Sequence, residues 1–247
     1  MQHLRVHPET RIVSETILHA LVFWLPAFLF SVTVHEAAHA WAALRLGDPT
    51  AWLAGQVSLS PWPHLRRSPI GMGVVPLVTT LVQGWTIGWA SVPVDPEWAE
   101  RHPRRAALMA LAGPAGNLAI ALAAFALLRA GIGFGVFEAP EQVTVQHLVS
   151  NALPPDPLRL GDFMAEGLSV LLALNVLLFV FNLLPLPPLD GAAAIGLILP
   201  AGAARAWRAA AAGPALAFAG ILAAWQLFPV LAAPVFAALV RTVHLVR

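Results

Sequence analysis

The 247-residue chain contains no cysteine and no tyrosine, and its 14 basic residues are all arginine. Without cysteine it forms no disulfide and no thiolate metal site. A transition metal would therefore be held by histidine, aspartate or glutamate. Charge is the other shortage: only 11% of residues are charged, while 58% are hydrophobic. Soluble domains average about 25% charged residues, so a water-soluble globule is excluded. Intrinsic disorder is excluded by the same figures. The net charge of +1 creates no field for a polyanion, so nucleic acid is not an expected partner. The composition is that of an integral membrane protein.

The uncharged runs outline the organisation. They cover residues 16–35, 68–94, 106–128, 167–189, 191–204 and 209–240. A membrane-crossing helix needs about 20 apolar residues. Residues 106–128 and 167–189 each fit one span. The prolines in 209–240 divide it into expected spans near 209–228 and 230–246. Residues 68–94 hold three prolines and four glycines, a poor composition for one straight helix. A broken or re-entrant segment, buried in protein or lining a wet cavity, fits equally well. Residues 191–204 are too short to span alone. Polar loops are expected at 47–67, 95–105 and 130–162, and the alternation in GQVSLSP (55–61) predicts a short strand around Val57–Leu59. The expected fold is all-α and polytopic, with about five to six transmembrane segments and a short membrane-associated β or re-entrant region. A single integral membrane domain is expected over 1–247, with no separate soluble domain.

Ionisable residues inside apolar segments are costly, roughly 2.5–3.5 kcal/mol each on insertion scales. Two acids stand out: Glu36 in the first long apolar segment, and Asp190 between two uncharged runs. Glu36 belongs to His35-Glu36-Ala37-Ala38-His39. On a helix, His35 and His39 lie one turn apart on one face, so both imidazoles can reach one cation. Glu36 sits about 100° around the helix, within reach of a metal-bound water. This is the H-E-x-x-H arrangement of zinc hydrolases. A catalytic zinc needs a third protein ligand and an open position for water. Seven further histidines are candidates: His3, His7, His19, His64, His102, His147 and His244. Asp190 is the stronger one, following Asn182 and the proline-rich LLPLPPL. Those prolines end the preceding helix and stiffen the approach. Alternatively, Asp190 caps a helix starting near Ala192, a role compatible with ligation.

HEAAH in one apolar segment and FNLLPLPPLDG (181–191) in a later one resemble the site-2 proteases, a family of intramembrane zinc metalloproteases. IGWASVPV (87–94), HPRRAALMALAGPAGN (102–117) and GDPTA (47–51) resemble its compact prokaryotic branch. The resemblance covers most of 30–200. It implies that His35, His39 and Asp190 ligate one Zn2+ per chain and that Glu36 is the general base. It implies that Asn182 orients substrate or supports developing negative charge, and that Asn117 is a second polar position of the core. It also implies a catalytic core of three transmembrane segments, about 20–46, 105–130 and 164–190. The C-terminal segments, about 191–247, follow that core. Ser91 stands where this branch commonly has lysine, and Ala192-Ala193-Ala194 replaces a more polar run after the aspartate and glycine.

The implied function is hydrolysis of peptide bonds within or near the transmembrane segments of membrane-anchored protein substrates. Two alternatives are an inactive relative serving as a membrane scaffold, and a metal transporter. A transporter would spread its polar groups over several spans, whereas here they concentrate in two motifs. Arg45, Arg101, Arg104, Arg105, Arg205 and Arg208 favour a cytoplasmic side for their ends of the helices. The expected site is thus in the cytoplasmic membrane, inside the lipid bilayer but nearer the cytoplasm. Arg5 and Arg11 leave the side of the N-terminus open, and oligomeric state is open as well. A substrate would bind extended, paired near Val57–Leu59 or with the segment at 70–90.

Overall fold

The computed structural model describes residues 15–154 and 156–244. Among them, four helices are long and apolar enough to cross a membrane: α1 (Glu15–Leu46), α6 (Pro103–Gly133), α7 (Leu160–Asn182) and α10 (Pro214–His244). Between α1 and α6 lie α2 (Thr50–Leu53), α3 (Pro61–Arg67), α4 (Ile70–Gln83) and α5 (Pro96–Arg101). Between α7 and α10 lie α8 (Asp190–Ala194) and α9 (Ala201–Ala211). The protein is an all-α multi-pass membrane protein.

Helix ends follow local chemistry. Gly47 closes α1 at φ 102°, a left-handed conformation that favours glycine, and its N–H returns to the Ala43 and Leu44 carbonyls. Asp48 is buried, and its two carboxylate oxygens accept from Thr50 N–H at 2.9 Å and Asp95 N–H at 3.0 Å. It thereby ties the exit of α1 to the entry of α5. Asp95 in turn caps α5 by accepting from Glu97 N–H at 2.8 Å.

The segment after α3 is re-entrant in form. At 14 residues, α4 is too short to span. The chain turns at Gly84 (φ 71°) and comes back without helix, so that Trp89 N–H donates to Gly71 O at 2.9 Å. A methyl on Gly88 would collide with the Gly71 carbonyl, which is why backbone passes so close to backbone there. Thr79, Thr80 and Thr86 bind the returning chain through Thr80 Oγ1 to Thr86 Oγ1 (2.7 Å) and Ile87 N–H to Thr79 Oγ1 (3.1 Å).

The centre of the bundle is α6, packed between α1 and α7. Its inward face carries Ala107, Ala110, Gly113, Asn117, Ala121 and Ala124. Small residues let helix backbones approach closely in a membrane, where burial of apolar surface gives little drive. One core cluster joins Ala121, Ala124 and Leu128 of α6 to Leu172 of α7 and Val243 of α10. A second joins Trp24, Phe28 and Val32 of α1 to Met72 of α4 and to Val170 and Leu174 of α7. By contrast, α10 leaves Phe218, Ile221, Leu222, Trp225 and Val230 exposed, a face suited to lipid.

Two expectations need correction. Residues 214–244 form one helix rather than two spans, with Pro229 and Pro234 inside it. Each proline removes one N–H, but a membrane offers the other backbone groups no water, so the helix continues past both. Among the described residues, four helices are thus long and apolar enough to span, where about five to six segments were expected. Secondly, Val57–Leu59 is not a strand. Gln56 Nε2 donates to Pro63 O (3.0 Å), His64 Nε2 lies 2.9 Å from Ser58 O, and Ser60 caps α3. These local side-chain bonds displace a ladder. Among the described residues the only strand pair is antiparallel, β1 (Phe137–Glu138) with β2 (Ser150–Asn151).

Candidate metal centre

The H-E-x-x-H sequence falls within α1, so His35 and His39 project from one face, both buried. The third group arrives from another part of the chain. After α7 ends, residues 183–189 form a compact proline-rich turn that delivers Asp190 as the first residue of α8. A methyl on Gly191 would collide with the Leu183 and Leu184 carbonyls, so glycine is what permits the turn to fold back so tightly. Behind the turn, Gly220 of α10 stands against the Pro187 carbonyl. Trp207 Nε1 of α9 donates to Ala192 O at 2.7 Å. Backbone thus supports α8 where the departing Ala192-Ala194 run offers no polar side chain.

These elements bring one ligand atom each from His35, His39 and Asp190 within 4.8 Å of one another. His35 Nε2 lies 3.0 Å from Asp190 Oδ2, His39 Nε2 lies 3.2 Å from Asp190 Oδ1, and the two Nε2 atoms are 3.0 Å apart. The other ring nitrogens are committed. His35 Nδ1 donates to Asn117 Oδ1 at 2.6 Å, and His39 Nδ1 donates to Met109 O at 2.8 Å. A neutral imidazole carries one proton. With that proton on Nδ1, both Nε2 atoms present lone pairs to each other and to a carboxylate. Asp190 Oδ2 has no hydrogen-bond donor, and neither does the buried Glu36 Oε2. Facing lone pairs without protons call for a cation, and two imidazoles with a carboxylate suit zinc. The residues therefore form a group that could hold a metal ion.

Two features beyond the motifs shape this centre. A methyl on Gly113 would strike Nε2 of both His35 and His39, so α6 can pass over the centre only with glycine at that position. Asn117, one turn further along α6, reaches His35. Its Nδ2 donates to Asn175 Oδ1 of α7 at 2.9 Å.

The proposed site residues divide accordingly. His35, Glu36, His39 and Asp190 come together, and Asn117 meets the back of the His35 ring. Asn182 does not join them: half-buried at the end of α7, its Nδ2 donates to Leu178 O of its own helix at 3.0 Å. The N-cap of α8 is Leu189 rather than Asp190, and the Asp190 carboxylate faces the two histidines. The remaining described histidines are elsewhere. His19 meets Glu166, His64 faces Ser58 O, and His244 faces Leu148 O. His3 and His7 lie outside the described residues. Sequence reading missed Gly113, Met109 and Asn175. The signal for Gly113 was its four-residue spacing from Asn117, which puts both on one helix face; a carbonyl partner such as Met109 O leaves no such signal.

Comparison with known proteins identifies the family. The profile of peptidase family M50 matches residues 23–227. A Bacillus subtilis protein, YwhC, that carries the name of a zinc metalloprotease is 33% identical over 186 residues, covering 75% of this chain and 73% of that one. A Mycobacterium tuberculosis protein named for the same activity, Rip2, is 30% identical over 174 residues, 70% of this chain and 56% of its own length. The Mycolicibacterium smegmatis Rip2 is 27% identical over 171 residues, with 69% and 55% covered. The chain therefore spans a little over half the length of the Rip2 proteins. No solved structure matches the chain. The chain belongs to peptidase family M50, the site-2 protease family, and is a membrane metalloprotease by that membership.

Proposed function

We propose that the protein is an intramembrane zinc endopeptidase that cleaves membrane-anchored proteins within or near their transmembrane segments. His35, His39 and Asp190 would hold one Zn2+ per chain. The observation that carries this reading is the convergence of one ligand atom each from His35, His39 and Asp190, with Glu36 Oε2 buried on the same helix and without a hydrogen-bond partner.

Bound zinc supplies Lewis acidity, polarising the scissile carbonyl and lowering the pKa of its water toward 7. Glu36 lies one residue from His35 on the same helix turn. Its carboxylate accepts the proton of the attacking water and delivers it to the leaving amine. Asn117 and Met109 O keep the Nδ1 protons of the two histidines, so both Nε2 atoms remain ligands. Asn182 would orient substrate after turning from its own helix.

A helical peptide bond is shielded by its own hydrogen bonds, so the substrate would bind extended. With Val57–Leu59 folded into local side-chain bonds, the non-helical return at residues 85–94 is the stronger candidate for pairing. The arginines at the ends of α1, α6 and α9 support a centre nearer the cytoplasm in the cytoplasmic membrane. The test combines metal analysis with Glu36→Gln. Purified protein should hold about one zinc per chain, and Glu36→Gln should keep the zinc while losing cleavage of a membrane-anchored reporter. Metal-free wild type would defeat the zinc reading, and an active Glu36→Gln would defeat the assigned base.

A further inference from the structure

Asn117 can hold His35 in the ligating tautomer only if its own amide is held one way round. Amide oxygen and nitrogen are nearly the same size, so shape alone does not choose. If the amide turned over, Nδ2–H would face His35, whose Nδ1 would then have to accept. The ring proton would move to Nε2, the atom a metal needs.

The choice is made farther back, on α7. Asn117 Nδ2 donates to Asn175 Oδ1 at 2.9 Å and more weakly to Ser31 O at 3.4 Å. Asn175 is oriented in its turn, because its Nδ2 donates to Ser31 Oγ and to Leu171 O, each at 2.8 Å. Ser31 Oγ donates its own proton to Ala27 O at 2.6 Å, leaving its lone pairs for Asn175. Polarity runs one way through the chain: Asn175 accepts from Asn117, Asn117 accepts from His35, and His35 Nε2 is left bare. Ser31, Asn117 and Asn175 are each 0% exposed, so water does not replace a missing partner.

We infer that Asn175 is a positioning residue for the metal centre, acting through Asn117 to set the His35 tautomer across α7, α6 and α1. This rests on the zinc reading above. It goes beyond that reading by assigning a role to a residue remote from the metal and outside both motifs. A residue that only joins helices would act on stability alone. A residue that sets a tautomer acts on metal affinity, and only while Asn117 is present.

The test is a double-mutant cycle on zinc affinity, measured by chelator competition in detergent, with apoprotein melting followed in parallel. Asn117→Leu should weaken zinc binding by about 10–100-fold and Asn175→Leu by about 10-fold, the range found when partners behind metal ligands are removed. The double variant should bind like Asn117→Leu alone, because both changes break one chain. Unchanged zinc affinity in Asn175→Leu, or losses that multiply in the double variant, would overturn the inference. If Asn175→Leu does not fold, Ser31→Ala keeps the Asn175 oxygen but loosens its orientation. It should weaken zinc a few-fold, and an unchanged affinity there would equally overturn the inference. Wild type that takes up no zinc would remove the metal reading itself, an outcome separate from either variant result.

Discussion

Histidine meets acid twice along α1, and the two meetings differ in kind. His19 Nε2 lies 3.1 Å from Glu166 Oε2 of α7, with side chains 18% and 27% exposed. That is one ring nitrogen against one carboxylate, with the His147 ring 6.1 Å from the His19 ring. Sixteen residues on, about 24 Å along the helix, His35 and His39 meet Asp190. There the Nδ1 atoms of both rings face Asn117 Oδ1 and Met109 O, and both Nε2 atoms face the acid. The first brings a single ring nitrogen to the acid. The second brings three groups together that could hold a metal ion. What separates an ion pair from a metal centre here is the partner behind the ring, more than the acid in front of it.

Substitutions can press on that contrast. The largest effect belongs to Asp190→Ala, which should reduce zinc affinity by more than the roughly 100-fold upper range for an outer partner. Elemental analysis after dialysis should find the variant essentially without zinc. Next comes Glu36→Gln, for which reporter cleavage should fall by about 10²–10⁴-fold while zinc content stays at the wild-type level. That result would separate base from ligand within one motif. Gly113→Ala places a methyl against both ligating nitrogens. It should weaken zinc by about 10–100-fold and destabilise by about 1–3 kcal/mol through overpacking, read by chelator competition and thermal melting. The smallest effect is expected at the other meeting. His19→Leu with Glu166→Leu should show a coupling of about 0.6 kcal/mol, the mean for polar contacts between membrane helices, with zinc stoichiometry unchanged. A loss of zinc from His19→Leu would erase the distinction between the two regions.

Much of the centre was legible because charge is scarce. In a chain with so few acids, Glu36 and Asp190 stand out wherever they interrupt apolar sequence, and helical spacing alone places His35 and His39 on one face. The re-entrant segment was legible as well, since its prolines and glycines oppose a straight span. The strand at Val57–Leu59 was misread because alternation reports only which faces differ in polarity. Gln56, Ser58 and Ser60 spend their hydrogen-bonding capacity on α3 and its entry, and the residue pattern does not reveal this. The C-terminal prolines were misread for a related reason. A proline breaks helices in water far more readily than in lipid, where the remaining backbone has no other partner.

Asn117 shows the boundary most clearly. Its presence in GPAGN marked a polar position in the core, but the direction of its amide depends on Asn175 and Ser31, residues 58 and 86 positions away. Sequence by itself determined the membrane class, the kind of ligand available and the two motifs, because composition and helical period act locally. Tertiary structure decided which nitrogen of His35 is free, why residue 113 must be glycine, and that Asn182 turns back to its own helix. Those outcomes depend on contacts between helices far apart in the chain, and no local pattern encodes them.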